Sequence, residues 1–441
     1  MSLASPVVNV IGAGLAGVEA SLQLAIRQVP VRLYEMKKKK KSPAHQSDQF
    51  AELVCSNSLR SDSIENAVGL LKEELRLMGS FVIASADQHR IPAGSALAVD
   101  RERFSQQLTT LVRHHPLIEV IDEEVTSLPE GITIIASGPL TSEPLAETIR
   151  QLTGSDALFF YDAVAPIIEV DSIDRSIAYP MNRYQKGEGA YLNCPMTQAE
   201  YERFYHALIH AECVQQKEFE LTLFEGCLPI EEMARRGEKT LLYGPFKPVG
   251  LAKPGEARPY AVCQLRQDDL AGSLYNLVGF QTHLTFSAQK QVIRLIPGLE
   301  NAVISRYGVM HRNTFVNAPL VLKATYQLKT NPQIFIAGQL SGIEGYVESI
   351  GSGLIAGINA ARIARGSDPL IFPQASALGS QAHYLASASP RDFQPHNVNF
   401  AFFPELEKEN DRKIGKKERR SIFARNSLSL LKKMQEEHQF D

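Results

Sequence analysis

The 441-residue sequence has few cysteines, no long apolar run and almost no net charge. Its five cysteines are an odd number without regular spacing, which argues against a disulfide framework and favours free thiols in a reducing, cytoplasmic compartment. No apolar run approaches the roughly 20 residues needed to cross a bilayer, so we expect neither a membrane span nor a membrane partner. The formal net charge of −3 gives no global attraction to nucleic acid, so such binding would need local basic patches.

The size and composition of the chain are typical of a globular protein with more than one structural unit. Hydrophobic residues make up 44% of the chain and charged residues 22%. A chain of this length predicts two structural units, or one domain with a large insertion. Its first residues run directly into a predicted strand and a glycine-rich turn, so we expect no signal sequence.

Residues 7–17, VVNVIGAGLAG, combine a β-branched run with glycines in G-x-G-x-x-G spacing, and a helical pattern follows. This pattern predicts a dinucleotide-binding turn in which backbone amides approach a pyrophosphate. The predicted contact residues of the turn are Gly12, Ala13, Gly14, Leu15, Ala16 and Gly17. Glu35 ends the next predicted strand, about 20 residues further on, where its carboxylate can accept hydrogen bonds from ribose hydroxyls.

Two further segments favour FAD as the dinucleotide, as does the N-terminal position of the motif. Residues 131–140 form a predicted strand that enters a turn of small residues, suited to pass over the adenine–ribose half of a flavin dinucleotide. Residues 333–360 read as a strand, a glycine-rich loop and a helix whose N-terminus could stabilise a reduced flavin. Within this segment we predict cofactor contacts from Gly338, Tyr346 and Gly351.

The predicted fold is therefore α/β, with a Rossmann-like FAD-binding domain of the glutathione-reductase type divided between the two ends of the chain. We expect residues 1–165 and 321–441 to form this domain and residues 166–320 to form a mixed α+β insertion. The insertion contains AVCQLRQDD and LYNLVGFQT, whose alternating polarity predicts strands with one solvated face. No second dinucleotide motif follows a strand, so a nicotinamide reductant would be a visiting co-substrate.

Cysteines in polar surroundings are candidate nucleophiles. Cys55 lies in ELVCSNSLRSD, and Cys227 lies in FEGCLPIEEMARRG, just before a helix predicted to start after Pro229. A helix N-terminus or a nearby arginine favours the reactive thiolate. Cys194, in YLNCPMT, is an equally good nucleophile on this evidence. The remaining two lie in apolar contexts that indicate structural roles, helical for Cys213 and strand-like for Cys263.

Several stretches occur in order along nearly the whole chain, among them VNVIGAGLAG, AELVCSNSLRSDSIENAVGLLKEELR, RIPAGSALAVDRERFS, YGPFKPVGL, LVGFQTHLTFSAQK and IAGQLSGIEGYVES. Together they closely resemble the folate- and FAD-dependent tRNA (uracil-5-)-methyltransferase family. The flavin segment near residues 334–360 is also similar to the glucose-inhibited division protein A family, which modifies wobble uridines, but that family would not be expected to carry VCSNSLRSD.

The resemblance implies methylation of uridine C5 in tRNA, at position 54 of the T-loop. The implied cofactor is FAD, with 5,10-methylenetetrahydrofolate and NADH or NADPH as co-substrates; RNA rather than DNA is the implied macromolecular partner. By motif, Cys227 corresponds to the thiolate that adds to uracil C6, and Cys55 to a second thiol that acts as a base or guards the flavin-bound methylene. Open alternatives are a ribosomal RNA uridine, a wobble-uridine enzyme, and a non-catalytic flavin-bearing RNA-binding protein.

Other predicted contacts lie in basic or mixed segments. The resemblance suggests that His311 and Arg312 face the folate, although a buried structural histidine fits as well. Residues 412–425 carry seven Lys or Arg against one acid, which predicts a basic C-terminal helix that contacts RNA through Lys416 and Arg420. The lysine run at 37–41 indicates a solvated loop or, alternatively, an RNA contact.

Overall fold

The protein is described from a computed structural model that covers residues 6–42, 44–154, 158–163, 165–183, 191–214, 228–269, 271–391, 393–406 and 415–438. Cys227 lies outside these described residues. The strands are β1 Val8–Ile11, β2 Val31–Tyr34, β3 Ser58–Ser61, β4 Arg90–Ile91, β5 Ala96–Val99, β6 Ile118–Ile121, β7 Thr133–Ile135, β8 Leu158–Ala163, β9 Ile167–Glu169, β10 Tyr179–Pro180, β11 Tyr191–Met196, β12 Ala261–Gln267, β13 Leu274–Leu277, β14 Ile304–Arg306, β15 Met310–Phe315 and β16 Ile334–Ile336.

The helices of the described residues vary from one turn to 23 residues. They are α1 Leu15–Ile26, α2 Ala67–Leu77, α3 Phe81–Gln88, α4 Arg101–Arg113, α5 Glu143–Thr153, α6 Gln198–His210, α7 Ile230–Arg235, α8 Thr240–Tyr243, α9 Phe286–Ile293, α10 Ala318–Val321, α11 Tyr346–Ala364, α12 Ala377–Ser387 and α13 Lys416–His438. None of the helices in the described ranges has the length and apolarity required to cross a membrane.

The first sheet is parallel and has the order β16-β7-β1-β2-β6. Numbered along the chain, its strands run 5-4-1-2-3, so the direction of winding reverses between β1 and β7. In such sheets a ligand binds beyond the carboxyl ends of the strands at this switch point. The G-x-G-x-x-G turn follows β1, and the predicted small-residue turn follows β7, so the sheet brings the two predicted turns together.

Helices α1 and α11 pack against each other beside this sheet, and glycines set how closely they approach. A Cβ on Gly353 would lie 2.3 Å from the backbone oxygen of Ala16, and a Cβ on Gly357 would lie 2.9 Å from Ala20 Cα. Gly17 is equally constrained, because its Cβ would lie 1.8 Å from the carbonyl oxygen of Gly12. Gly353 and Gly357 therefore let α11 pack closely on α1, and Gly17 lets α1 pack closely on the turn after β1. This packing places the N-termini of α1 and α11 at the same edge of the sheet.

A second sheet, antiparallel, has the order β10-β11-β12-β13-β9-β14. It carries its own apolar core, formed by buried residues between Ala165 and Ala302, whereas the first core draws on residues 8–149 and 315–434. Strands β8 and β15 pair with each other where the chain passes between the two regions. A small sheet of order β3-β5-β4 carries the segment that follows Cys55.

One expectation for the second sheet is wrong. Residues Ala261–Gln267 do form a strand, but six of its seven residues are buried, so the polar face is not solvated. Gln264 donates to Asn193 Oδ1 at 2.9 Å, and Arg266 reaches Asn57 Oδ1 at 3.2 Å. Polar alternation along this strand therefore marks contacts with neighbouring elements, which sequence periodicity cannot distinguish from solvent exposure.

Candidate dinucleotide and thiol site

A cavity with about 1050 Å³ of space not filled by atoms opens at the switch point of the parallel sheet. Both ends of the described chain contribute to its walls. They include Gly12, Gly14, Leu15, Ala16, Glu35, Ser137, Gly138, Gly338, Gln339, Tyr346 and Ser349.

The turn after β1 has the geometry that a pyrophosphate needs. Gly12 has a φ of +98°, in the region that favours glycine, so it makes the tight turn out of the strand. Gly14 caps the N-terminus of α1, and no atom lies within 4 Å of the position its Cβ would take. The open space beside Gly14, at the positive end of a helix dipole, is a cradle for an anion. Ala13 and Gly17 support this turn without lining the cavity.

Glu35 lies where the sequence places it, directly after β2 and at the wall of the cavity. It is only 8% exposed, and its two carboxylate oxygens accept hydrogen bonds from the backbone N–H groups of Ala13 at 2.8 Å and Lys37 at 3.0 Å. Each oxygen retains a further lone pair for a ligand hydroxyl. Glu35 therefore both closes the glycine turn and presents an acceptor to the cavity.

Gly351 does not line the cavity. It is buried within α11, and a Cβ there would meet the side chain of Leu378 at 2.9 Å. By contrast, Gly338, with a φ of +73°, and Tyr346 both lie at the wall. The position of Gly351 is thus set by helix–helix packing.

The loop that carries Cys55 is tied to the start of α11. The backbone N–H groups of Cys55 and Ser56 donate to the hydroxyl oxygen of Tyr346 at 2.7 and 3.2 Å. Burial, with Cys55 nearby, raises the pKa of Tyr346, so its hydroxyl stays protonated and neutral at physiological pH. The partly buried thiol of Cys55 is therefore held next to a residue that lines the cavity.

Three arginines from distant elements surround this loop, and we call them the arginine cluster. Arg101 donates to the carbonyl of Leu53 at 2.7 Å and to Asp268 at 3.0 Å. Arg266 donates to Ser56 Oγ and interacts electrostatically with Cys55. Arg306, from β14, has Arg101 and Tyr346 among its charged or polar neighbours.

Electrostatics in the arginine cluster favour an anion. Burial lowers the pKa of both Arg266 and Arg306, because the charged guanidinium loses solvation. Positive groups beside a thiol favour its thiolate form. Sequence reasoning missed this cluster, although Arg101 and Arg266 lie within quoted stretches, because Arg101 is more than 160 positions away from the other two arginines.

The structure distinguishes buried from partly exposed thiols among the other cysteines, which the sequence could not do. Cys194 and Cys263 are buried and face each other across β11 and β12. Burial raises the pKa of the Cys194 thiol to about 12 and that of Cys263 well above its ordinary value, so Cys194 is unsuited to be a nucleophile. The expected apolar helical setting of Cys213 is wrong, since it follows α6, is partly exposed and accepts a contact from Arg235 at 3.5 Å.

The remaining predicted residues lie apart from the cavity walls or outside the described side chains. His311 and Arg312 belong to β15, but their side chains lie outside the description, as does that of Lys416. Arg420 lies on α13 with its guanidinium 5.8 Å from the ring of Phe400. Pro229 does precede α7 as predicted, although Cys227 itself lies outside the described residues.

The lysine run contacts acidic residues that the sequence analysis did not single out. Lys38, Lys39 and Lys40 pair with a three-residue acidic segment after β6, at 2.6, 3.3 and 2.9 Å; its members are Asp122, Glu123 and Glu124. Lys37 is buried and donates to the carbonyl of Gln49. Lys37, Glu123 and Glu124 also line the cavity. An RNA phosphate that bound the run would have to compete with these carboxylates.

Comparison with known proteins agrees with the site. The sequence profile of the family described as glucose inhibited division protein A matches residues 7–368. The methylenetetrahydrofolate--tRNA-(uracil-5-)-methyltransferase TrmFO of Lysinibacillus sphaericus is 64% identical over 402 residues, covering 91% of this chain and 92% of that protein. The protein of the same name from Listeria welshimeri is 60% identical over 433 residues, covering 98% of this chain and 99% of that one.

Among solved structures, that of Aquifex aeolicus GidA in its form II crystal is similar with a TM-score of 0.72. It is 18% identical, and the match covers 100% of this chain and 75% of the GidA chain, so this likeness concerns the fold alone. The profile match covers most of the chain, and the high identities extend over nearly all of it. The chain therefore belongs to the glucose inhibited division protein A family and, within it, to the TrmFO methylenetetrahydrofolate--tRNA-(uracil-5-)-methyltransferases.

Proposed function

We propose that the chain is a methylenetetrahydrofolate--tRNA-(uracil-5-)-methyltransferase that converts a uridine of tRNA to 5-methyluridine. The relatives that match over nine-tenths or more of the chain carry this activity in their names. The single structural observation that carries the proposal is the pair of hydrogen bonds from the Cys55 loop to Tyr346. They support the proposal, because they connect the loop of Cys55 to a residue that lines the cavity suited to a flavin.

The residues of the cavity fit FAD. The open space at Gly14 matches the pyrophosphate, and Glu35 presents a carboxylate to the ribose. Gly338 and Tyr346 lie at the wall formed by the second end of the chain, near the N-terminus of α11. When bound, the flavin would supply redox equivalents for the one-carbon unit, with NADH or NADPH as the visiting reductant.

The two thiols have different roles in the reaction at the uracil ring. The thiolate of Cys227 adds to C6, which makes C5 nucleophilic toward the one-carbon unit of methylenetetrahydrofolate. A base removes the C5 proton, and release of the carrier of the one-carbon unit leaves an exocyclic methylene on C5. A hydride, which the reduced flavin would supply, adds to this methylene as the thiolate leaves C6, so that the methyl group is formed and the ring is restored. Cys55 is suited to be this base or to guard the one-carbon unit, because the arginine cluster favours its thiolate.

The arginine cluster and the basic helix are candidate anion contacts for the two large substrates. We assign the cluster to an anionic group of the substrate, either a phosphate of the target nucleotide or a carboxylate of the folate, because guanidinium groups bind both. His311 and Arg312 remain candidates for the folate. Lys416 and Arg420, on α13, remain candidates for tRNA backbone phosphates.

The domain division follows the two apolar cores. We propose an FAD-binding domain of residues 1–165 and 321–441, with residues 166–320 as a mixed α+β insertion that supplies Arg266 and Arg306. Position 54 of the T-loop is the proposed target, and it must be flipped out of its stack to reach the thiols. The proposed compartment is the cytoplasm, where thiols stay reduced.

The test is nucleoside mass spectrometry of unmodified tRNA and, in parallel, of ribosomal RNA. The purified flavin-loaded protein is incubated with methylenetetrahydrofolate and NADH or NADPH. Folate-dependent 5-methyluridine is expected at position 54 of tRNA. Product in ribosomal RNA alone would identify ribosomal RNA, in place of tRNA, as the substrate. No product in either RNA would refute the proposal.

Variants of the cysteines test the assigned chemistry. Cys227→Ala is expected to abolish turnover and any covalent RNA adduct while the flavin stays bound, since the cofactor contacts are assigned to other residues. Cys55→Ala is expected to lower turnover by at least about a hundredfold, the usual contribution of acid–base catalysis. Cys263→Ser, at a buried position away from the cavity, is the matched control and should retain activity. Turnover in the Cys227→Ala protein would reassign the nucleophile.

A further inference from the structure

Outside the cavity, three potential metal ligands converge on one point of the second core. Cys213, Glu231 and His283, here called the thiol–imidazole cluster, each offer one ligand atom, and these atoms lie within 4.8 Å of one another. Glu231 is fully buried, and His283 is 7% exposed. None of the three lines the dinucleotide cavity. A buried carboxylate and a buried imidazole beside a partly exposed thiol need charge compensation.

Backbone hydrogen bonds hold together the three segments of the chain that carry the cluster. Cys213 forms an antiparallel bridge with Leu284, and the N–H of Val214 donates to the carbonyl of His283 at 2.9 Å. Ile230, the first residue of α7, donates its N–H to the carbonyl of Gln281 at 2.7 Å. The segment at 281–285 therefore holds both other segments, so the ligand atoms are preorganised.

The orientation of the side chains points to a ligand between them. Glu231 accepts hydrogen bonds from Thr282 Oγ1 at 2.8 Å and from the backbone N–H of His283 at 2.7 Å, which fixes its carboxylate. Nδ1 of His283 is buried 2.9 Å from Glu231 Oε1 and forms an ion pair with it when the imidazole is protonated. A cation that binds both atoms would take the place of this proton, because metal binding releases protons from its ligands.

We propose that Cys213, Glu231 and His283 bind a zinc ion. A thiolate, a carboxylate and a neutral imidazole are ligands that zinc accepts, and their two negative charges balance the ion. Three protein ligands leave one tetrahedral position for water. Arg235, whose Nη2 lies 3.5 Å from Cys213 Sγ and which also pairs with Glu232, supplies the outer hydrogen bond that such sulfur ligands receive.

The site has a consequence for the catalytic chemistry. Cys213 precedes Cys227 in the sequence, and Glu231 follows it. A zinc ion bound by both would fix the chain on either side of the proposed nucleophile. The ion therefore serves to position that residue.

The test measures zinc in the flavin-loaded protein by inductively coupled plasma mass spectrometry after exhaustive dialysis. About one zinc per chain is expected in the wild type. Cys213→Ser and His283→Gln are each expected to lower the zinc content at least tenfold. Two matched controls, Cys263→Ser and Cys227→Ser, should keep the wild-type zinc content, which excludes binding by an unrelated thiol.

Two results would overturn the proposal. They are a wild-type protein without zinc after dialysis against a zinc buffer, and a zinc content that Cys213→Ser and His283→Gln leave unchanged. If these variants lose their flavin and fold poorly, cobalt(II) added to the metal-depleted wild-type protein decides the matter. A thiolate-to-cobalt charge-transfer band that alkylation of Cys213 abolishes supports the site, and its absence refutes it.

Discussion

Gly14 is the residue whose missing side chain bears most directly on the cofactor. No atom lies within 4 Å of its Cβ position, so a larger residue can be accommodated without distorting the fold. Gly14→Val is expected to fill the anion cradle and lower flavin affinity at least about tenfold, which is about 1.4 kcal/mol. Flavin content by absorbance and a fluorescence titration with FAD measure the effect.

Gly415 provides a matched control for this substitution. It also has no atom within 4 Å of its Cβ position, but it precedes the C-terminal helix and does not line the cavity. Gly415→Val should therefore bind flavin as the wild type does. A Gly14→Val protein that purifies with a full complement of flavin would show that the pyrophosphate lies elsewhere.

At the scale of elements, the contact between α1 and α11 sets the geometry of the cavity edge. Gly353→Ala would drive a methyl group to 2.3 Å from the Ala16 carbonyl oxygen, which is rigid backbone. We expect a loss of about 1–3 kcal/mol in the free energy of unfolding, together with a lower flavin content, because the two helices must separate. Urea denaturation followed by circular dichroism measures the stability.

Gly351→Ala is the control within the same helix. Its methyl group would meet only the end of the flexible Leu378 side chain, and alanine improves helix propensity by about 1 kcal/mol. We therefore expect stability within about 1 kcal/mol of the wild type and unchanged flavin binding. A large flavin loss in this variant, with normal stability, would restore Gly351 as a cofactor contact.

The C-terminal helix α13 presents different faces to the protein and to solvent. Phe423, Ala424 and Leu431 are buried, whereas Arg419 and Arg425 are exposed. Lys416→Glu with Arg420→Glu is expected to weaken tRNA binding and to reduce the slope of log K against log salt by about 1.4–1.8, since two phosphate contacts are lost. Filter binding across a salt series measures both quantities.

The far end of the same helix supplies a control with an equal charge change. Lys432 and Lys433 are exposed there, and Lys433 pairs only weakly with Glu437, at 3.6 Å. Lys432→Glu with Lys433→Glu should leave the salt slope within about 0.5 of the wild-type value if the contact lies at the N-terminal end. Equal effects of both double variants would indicate general electrostatic attraction without a defined contact.

At the scale of the whole molecule, a buried carboxylate joins the C-terminal helix to the first core. Glu74, on α2, accepts hydrogen bonds from the backbone N–H groups of Ala377 at 2.7 Å and Leu378 at 2.8 Å, and from the hydroxyl of Ser427 on α13. Burial raises the pKa of Glu74 to about 7, although these hydrogen bonds oppose the shift. The docking of three helices thus includes one titratable group.

This pKa predicts a pH-dependent stability. Between pH 4.5 and 7 the folded state keeps the Glu74 proton while the unfolded state loses it, so stability falls as pH rises through this window. A shift of about 2.5 pH units corresponds to about 3 kcal/mol. Chemical denaturation from pH 5 to 8 should show a decline that is smaller in Glu74→Gln by the contribution of this group, whatever the absolute stability of that variant.

The comparison with a neighbouring carboxylate isolates this effect. Glu73 is partly exposed and pairs with Arg76, so Glu73→Gln should keep the wild-type pH dependence. Glu19, whose pKa burial also raises, is present in all three proteins and cancels in the comparison. The same decline in wild type and Glu74→Gln would contradict the assignment.

The sequence by itself determined the local structure and the class of chemistry. The sequence predicts a strand, a turn, a helix and a second strand in this segment. The prediction rests on the β-branched run, on the spacing of Gly12, Gly14 and Gly17, and on the acid at position 35. The structure has each of these elements. These features depend on backbone preferences within a few residues, so a linear pattern records them. Motif resemblance added the activity and named Cys55 and Cys227.

Only the tertiary structure decided which distant side chains meet. The arginine cluster joins positions 101, 266 and 306, the lysine run pairs with acids 84 positions away, and Cys213 meets His283 across the second core. Gly351 faces α12 because of the orientation in which α11 packs against that helix. Such contacts follow from the packing of whole elements, and that packing depends on the summed burial of many apolar residues, which no local pattern encodes.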